Sequence, residues 1–240
     1  MFRVDEYLQK LISSMKEVFG ERLLYVGLQG SYLREEATEN SDIDIMVIIK
    51  KLSVQDLDLY KETISQMEYY EKACGFICGM EELSSWNPLE LCHILHSTKD
   101  YYGTLSLLIP EYSEVDIINF IKVSLGNLYH EICHRYLHAD RAKNYQKLPT
   151  TYKNVFFILQ NMYYLKTGTF CRTKKELLCI LDKTDKKILE MSFEVNSNES
   201  YDFEQAFEKL FLWCQNSLTK LQQSKHDLRF KKSQNDPLSD

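Results

Sequence analysis

The sequence lacks an uninterrupted apolar run long enough to cross a membrane, and its first residues lack the charged and apolar segments of a secretory signal peptide. It also lacks a basic excess: the formal net charge is −6 at pH 7, which argues against broad electrostatic binding to nucleic acid. Seven cysteines, an odd number, predict free thiols in a reducing compartment. We therefore expect a cytoplasmic protein whose partners include neither a membrane nor nucleic acid.

The remaining composition is that of an ordinary globular protein. Hydrophobic residues make up 44% of the 240 residues and charged residues 27%, which allows one large domain or two small ones. In the first half, apolar runs of strand length alternate with stretches of helical periodicity. The predicted order is helix 5–19, strand 23–28, strand 43–49, a helix that Ser53 begins and that runs towards residue 74, and strand 76–80. This order predicts an α/β domain with a small mixed sheet covered by helices.

After Pro88 the strand signal fades and helical periodicity dominates. Helices are predicted at 89–98, 114–138, 152–166 and 203–221. A further helix is predicted to begin at the capping box of Thr173. The segment 139–149 is predicted to be a polar linker, while 99–108 fits either a strand or a connector. We therefore predict an α/β domain at 1–110, an all-α helical bundle at 111–223 that binds substrate or a partner, and a flexible tail at 224–240.

One segment carries most of the chemical information. Gly30 and Ser31 close the first predicted strand, and Asp42 and Asp44 open the second. The two aspartates are one residue apart in a strand, so their side chains leave the same face of the sheet and repel each other unless a cation lies between them. Oxygen ligands of this kind suit Mg²⁺, which completes its shell with phosphate oxygens. Because a Gly-Ser turn lets the backbone approach a phosphate closely, the two parts together predict a nucleoside triphosphate site.

This segment resembles the signature of the DNA polymerase beta–like nucleotidyltransferase superfamily, which is Gly-Ser, a fixed gap and Asp-x-Asp. Arg34, Ala37 and Ser41 also have the residue types that the superfamily shows at these positions. Glu35 departs from the pattern, because many members have Gly there. The order of an α/β half and a helical half is similar to that of kanamycin nucleotidyltransferase and the aminoglycoside adenylyltransferases.

The resemblance implies a Mg²⁺-dependent enzyme that transfers a nucleoside monophosphate, most simply AMP from ATP, to a hydroxyl group of a small molecule, for example an aminoglycoside-type antibiotic. The site residues that it implies are Asp42 and Asp44 as metal ligands, with Gly30, Ser31, Arg34 and Ser41 as nucleotide contacts. The partners are then a nucleoside triphosphate and a small hydroxylated acceptor. A homodimer is left open.

Two further acidic residues are candidates for the site. The superfamily has a third carboxylate on the strand after Asp-x-Asp, but residues 75–80 contain none, so Glu81 at the end of that strand is the candidate third metal ligand. If Glu81 is not a metal ligand, either only one metal ion binds firmly or the activity is lost. The kanamycin enzyme and its relatives have a Glu as general base on a helix of the second half, which makes Glu131 the candidate here. Arg34 has an equal alternative as the ion-pair partner of Glu36 or Glu39.

Two other functions stay open. The missing strand carboxylate favours a nucleotidyltransferase-fold regulatory module, such as an antitoxin-type partner of a helical toxin, with weak or no activity. His130, Glu131 and His134 match the H-E-x-x-H pattern of zinc peptidases on a predicted helix, and His138 extends the row. The residues that follow do not match the longer form of this motif, so a zinc peptidase is the remote alternative.

Overall fold

The computed structural model describes residues 2–197 and 200–234, with side chains described as far as residue 221. The chain forms two compact units, Met1–Ser113 and Glu114–Asp240, which we call the N-terminal and C-terminal units. Their boundary lies close to the position expected from the sequence, residue 110. Within the described ranges, none of the helices combines the length and the apolar character that a membrane span requires.

The N-terminal unit is a four-stranded sheet with five α-helices. Its strands are β1 (Leu23–Leu28), β2 (Ile43–Ile49), β3 (Ala73–Gly79) and β4 (Lys99–Tyr102). Its helices are α1 (Val4–Phe19), α2 (Gly30–Leu33), α3 (Val54–Ser65), α4 (Met80–Ser84) and α5 (Pro88–His96). The strand order is β3-β2-β1-β4, in which β1 pairs antiparallel with both β2 and β4, and β2 pairs parallel with β3. The predicted small mixed sheet is confirmed.

Strand β2 is central and is covered on both faces. Ile43, Ile45 and Val47 pack with α1 in one apolar cluster, while Met46 and Ile48 lie in a second cluster on the opposite face. Side chains alternate between the two faces of a strand, so a strand covered on both sides must be apolar at nearly every position. This explains the continuous apolar run after Asp44 and fixes the face from which the Asp44 side chain leaves.

Two predicted boundaries in this unit are wrong by several residues. Helix α3 ends at Ser65 rather than near residue 74, and the backbone of Tyr69 then adopts a left-handed conformation with φ 63°. Strand β3 consequently begins at Ala73, three residues before the predicted start. The ambiguous segment 99–108 contains β4 and a short 3₁₀ turn. The Tyr25 hydroxyl donates a hydrogen bond to Asp100 Oδ1 at 2.7 Å and so joins β4 to β1.

The described part of the C-terminal unit is helical, as predicted. Its helices are α6 (Glu114–His138), α7 (Arg141–Thr167), α8 (Lys174–Ile180), α9 (Lys183–Ser197) and α10 (Phe203–Gln234). The predicted bounds of α6 match, and the capping box at Thr173 begins α8. Helix α9 was not predicted. Residues 224–234 of the expected flexible tail continue α10, and residues 235–240 lie outside the described ranges.

The predicted linker 139–149 is instead the start of α7. Asp140 caps the helix by accepting a hydrogen bond from the Lys143 amide at 2.9 Å. Pro149 lies inside the helix and cannot donate to the carbonyl oxygen four residues earlier, that of Tyr145. The Tyr201 hydroxyl donates to this carbonyl oxygen instead. A tertiary hydrogen bond therefore offsets the local cost of proline, which the sequence pattern alone does not reveal.

Candidate active site

The Gly-Ser turn lies directly against the second aspartate of the Asp-x-Asp pair. The Gln29 amide donates to the Asp44 carbonyl oxygen at 2.8 Å, which joins the end of β1 to the start of β2. Gly30 has φ +69°, and a Cβ added to it would lie 1.8 Å from Asp44 Oδ2. Glycine is therefore required on two independent grounds, the left-handed backbone and the close approach of the carboxylate. The structure brings Gly30, Ser31 and Asp44 together, as the sequence predicts.

Asp42 and Asp44 differ in exposure. Asp42 is exposed just before β2, whereas Asp44 is half-buried as the second residue of the strand. Burial raises the pKa of Asp44, and the negative charge of Asp42 raises it further, while a hydrogen bond from Cys74 and the charge of Arg34 lower it. Burial and like charge both disfavour the ionised carboxylate, so a cation at this position relieves both effects.

The segment between the turn and the aspartates is held by its own side chains. Arg34 Nε lies 3.1 Å from Glu36 Oε2 in a partly buried ion pair, the alternative that the sequence left open. Ser41 Oγ accepts a hydrogen bond from the Thr38 amide at 2.8 Å, and the Ser41 amide donates to the Thr38 carbonyl oxygen. Ser41 thus shapes the turn that leads into Asp42. Its role as a nucleotide contact stays a prediction.

Glu35 lies at the position where the sequence departs from the nucleotidyltransferase signature that it resembles. Its backbone has φ 56°, one of two non-glycine residues with positive φ in the described chain. The left-handed conformation costs an L-residue roughly 1–2 kcal/mol. A preference for glycine at this position therefore has a local backbone cause.

Glu81 is not brought to the aspartates, and its assignment as a metal ligand needs correction. Strand β3 runs parallel to β2, so its first residue Ala73 pairs with Ile43 and its last residue Gly79 pairs with Ile49. Glu81 follows Gly79 in α4 and is exposed. At about 3.3 Å per residue, the length of β3 separates Glu81 from the start of β2 by roughly 20 Å. The sequence of β3 does not reveal its register with β2, so the prediction puts Glu81 at the wrong end of the strand.

Sequence reasoning missed two residues that the structure places near this site. Cys74 pairs with Asp44 across β2 and β3, but the predicted strand began at residue 76 and so excluded it. His93 on α5 lies near Arg34: burial, followed by the positive charges of Arg34 and His96, lowers the pKa of His93 to about 4. The imidazole is therefore neutral at neutral pH. No local sequence signal marks either residue, because both depend on how separate elements pack.

The H-E-x-x-H segment lies on α6, but its side chains do not converge. His130, His134 and His138 form an exposed row, with ring centroids 5.8 Å and 4.8 Å apart along the helix. Glu131 Oε1 instead accepts a hydrogen bond from Thr151 Oγ1 on α7 at 2.9 Å, and Arg135 Nη1 lies 3.9 Å away. Among the residues that the structure describes, no group of three or more His, Cys, Asp or Glu side chains is arranged to hold a metal ion.

Comparison with known proteins gives three results. The sequence model of the nucleotidyltransferase domain family matches residues 8–78, which include the turn, both aspartates and Cys74. A protein of Methanocaldococcus jannaschii named "putative protein adenylyltransferase" is 43% identical over 58 residues, which cover 24% of this chain and 37% of that protein. The match thus spans little more than a third of the relative's length.

The third result is a solved structure. A spectinomycin adenyltransferase from Enterococcus faecialis, crystallised with ATP and spectinomycin, aligns over 89% of this chain and 98% of its own. The TM-score is 0.57 and the sequence identity is 15%. At this identity the likeness establishes a shared fold over most of both chains.

Proposed function

We propose that this protein, whose residues 8–78 form a nucleotidyltransferase domain, transfers a nucleoside monophosphate from a triphosphate, most simply AMP from ATP, to a hydroxyl group. The observation that carries the proposal is the contact between the two halves of the motif. Gly30 approaches Asp44 so closely that no other residue fits there. A turn suited to phosphates and a carboxylate suited to a metal are thereby held side by side.

The donor set fits Mg²⁺. Asp42, just before β2, and Asp44, within it, offer carboxylate oxygens, and such a site needs the oxygens of a triphosphate to complete the coordination of the ion. When bound, Mg²⁺ would polarise the phosphoryl group and neutralise charge on the departing pyrophosphate. Gly30 and Ser31 would hold the phosphates through backbone amides and the Ser31 hydroxyl. Arg34 would act on the same phosphates only if nucleotide binding releases it from Glu36.

Glu131 is our proposed general base. Its carboxylate is half-buried and already accepts the hydrogen bond of Thr151 Oγ1, which holds it in one orientation. A carboxylate acts as base only within hydrogen-bonding reach of the attacking hydroxyl. Glu131→Gln should therefore slow transfer by about 100-fold or more while ATP binding stays unchanged. Thr151→Val, which removes only the hydrogen bond, is the matched control and should have a smaller effect.

We propose a small hydroxylated molecule as the first acceptor class. The support is the shared fold with an adenyltransferase crystallised with ATP and spectinomycin. A second candidate acceptor is a hydroxyl group on a protein, and the name of the Methanocaldococcus jannaschii relative favours it. In that case the protein would be an enzyme that regulates a partner protein by modifying it. The enzyme and the antitoxin-type alternatives would then both describe it.

A labelling experiment separates these acceptors and tests the reaction itself. ATP labelled at the α-phosphate should pass its label to the acceptor, whereas ATP labelled at the γ-phosphate should not. Label on an aminocyclitol or aminoglycoside after thin-layer chromatography supports a small acceptor, and label on a protein band from host lysate supports a protein acceptor. Asp42→Asn is the control and should lose both signals. Transfer of the γ-label alone would refute nucleotidyl transfer.

A further inference from the structure

Strand β3 brings a thiol, rather than a carboxylate, beside the candidate metal ligand. Cys74 pairs in register with Asp44 across the parallel strands β2 and β3. Paired residues on neighbouring strands project to the same face of a sheet, so the thiol and the carboxylate share one face. The two side chains are close enough that Cys74 lowers the pKa of the Asp44 carboxyl, against the larger raising effect of burial. Asp44 therefore has a side-chain contact that its own motif does not contain.

The backbone around this pair is tightly packed. Gly75, the residue after Cys74, lies so close to β2 that an added Cβ would be 1.9 Å from the Ile45 carbonyl oxygen. On the other side, the backbone of Gly30 leaves only 1.8 Å between an added Cβ and Asp44 Oδ2. The Asp44 carboxylate thus has the Gly30 backbone and the Cys74 thiol as neighbours on separate elements. Both neighbours restrict where its oxygens can lie.

Core packing does not explain a cysteine at position 74. Cys78, four residues later on the same strand, is buried with Met46 and Ile48, where a cysteine serves as a small apolar side chain. Cys74 is exposed, and β3 is an edge strand. An exposed position on an edge strand places no packing demand on the side chain. Cys74 pairs with the charged Asp44 on β2, whereas Cys78 pairs with the apolar Ile48.

We infer that Cys74 is a positioning residue, whose thiol holds the Asp44 carboxylate in the orientation that metal-dependent nucleotide binding requires. The inference rests on the function proposed above and adds a residue to it. Groups that hydrogen-bond a metal ligand typically change metal affinity by about 10- to 100-fold. Since a thiol is a weak donor, we expect the low end of this range, about tenfold.

The test measures ATP binding by titration calorimetry over a series of Mg²⁺ concentrations, in the full chain. Cys74→Ala removes the donor and should raise the Mg²⁺ concentration for half-maximal enhancement of ATP binding by about tenfold. Cys74→Ser keeps a donor and should stay within about threefold of wild type. Cys179→Ser is the matched control, because Cys179 is also exposed but lies in the C-terminal unit, and it should leave the midpoint unchanged.

The outcomes separate this inference from the proposed function. If Mg²⁺ does not enhance ATP binding to wild type, the proposed function fails. If wild type and Cys74→Ala respond to Mg²⁺ alike, or if the Ala and Ser variants lose affinity equally, the positioning role of Cys74 is wrong while the proposed function stands. A higher affinity for Cd²⁺ than for Mg²⁺ that Cys74→Ser abolishes would make the thiol a direct ligand, and this also overturns the positioning role.

A second readout uses wild-type protein and does not depend on the folding of a variant. Alkylation of each thiol by iodoacetamide can be followed by mass spectrometry with and without Mg²⁺ and ATP. We expect Mg²⁺ and ATP together to slow alkylation of Cys74 and to leave that of Cys179 unchanged, since both thiols are exposed. Equal rates at Cys74 in the two conditions would contradict its place beside the nucleotide site.

Discussion

Two short motifs in this chain match patterns of metal sites, and the residues that surround them in the structure differ. Asp42-x-Asp44 lies where a turn, a central strand and a neighbouring strand meet, so Gly30 and Cys74 contact Asp44 from two other elements. His130-Glu131-x-x-His134 lies along one helix, and its histidines form an exposed row. Its glutamate is hydrogen-bonded to α7.

The difference shows what turns a motif into a site. Residues on one helix share a face but project outward in parallel, whereas strands of a sheet place side chains from distant positions next to each other. The strand motif therefore acquires partners from the rest of the fold. Among the described residues, the helix motif has one hydrogen-bonding partner on another element, Thr151, which contacts its glutamate.

The largest expected effect comes from removing the charge of Asp44. Asp44→Asn should lower nucleotidyl transfer by more than about 100-fold, the upper end for residues that only support a metal ligand. His134→Ala, which removes the central member of the histidine row, should leave transfer within about twofold, because an exposed side chain away from a site rarely matters more. Initial rates with α-labelled ATP measure both. Equal losses in the two variants would erase the distinction between the motifs.

The second prediction concerns the approach of the turn to the strand. Gly30→Ala should destabilise the protein by about 2–4 kcal/mol, since the added methyl meets the Asp44 carboxylate as well as an unfavourable φ. Gly168→Ala is the control: Gly168 ends α7 in the left-handed conformation (φ 71°), but no atom lies within 4 Å of an added Cβ. It should cost about 1 kcal/mol. Urea unfolding compares the two variants, and similar losses would show that the contact with Asp44 is unimportant.

A smaller effect of opposite sign is expected at Glu35. Glu35→Gly should stabilise the protein by about 0.5–1 kcal/mol, because glycine adopts the left-handed conformation without the steric cost that Glu35 bears. Glu39→Gly, in the same exposed segment and without a positive φ, should be neutral or destabilising. A fall in melting temperature for Glu35→Gly would mean that its side chain contributes something that the backbone argument omits.

The smallest expected effect is a change of folding stability with pH in the absence of metal ions. Because folding raises the pKa of Asp44, the folded chain holds a proton on this carboxylate more tightly than the unfolded chain does. The stabilisation that comes from the protonated Asp44 carboxyl is complete below the ordinary pKa of an aspartate. It is lost as the pH rises through the raised pKa of Asp44. In EDTA, Asp44→Asn should therefore melt slightly above wild type at pH 7, with a gap that shrinks towards about pH 4. A difference in melting temperature that grows towards acid pH would contradict the raised pKa of Asp44.

The sequence predicted the parts of the fold that follow from local periodicity. The bounds of β1, β2 and α6 match the prediction, because buried strands and an amphipathic helix leave a regular apolar pattern. The Gly-Ser turn and the aspartates were found for a related reason: their residue types reflect requirements of one short segment. The same reasoning failed at Pro149, where a hydrogen bond from distant Tyr201 permits a helix that local rules forbid.

The rest of the site depended on pairing between strands. Glu81 was assigned to the aspartates because it is close to the end of the next strand in sequence, yet parallel pairing carries it to the far end of the sheet. The same pairing brings Cys74 to Asp44, although a cysteine before the predicted start of a strand carries no chemical signal of its own. Register is set by the packing of whole elements, and no short segment records it.

Titration of wild-type protein with ATP, with and without Mg²⁺, tests the central claim most directly. Asp42 and Asp44 alone offer few ligands to a metal and repel a metal-free triphosphate, so the two ligands should bind cooperatively. We predict that Mg²⁺ raises the affinity for ATP by about tenfold or more, a coupling of roughly 1.4 kcal/mol or larger. Equal ATP affinity in EDTA and in Mg²⁺ would contradict the account, because the turn and the aspartates would not then form a nucleotidyl-transfer site.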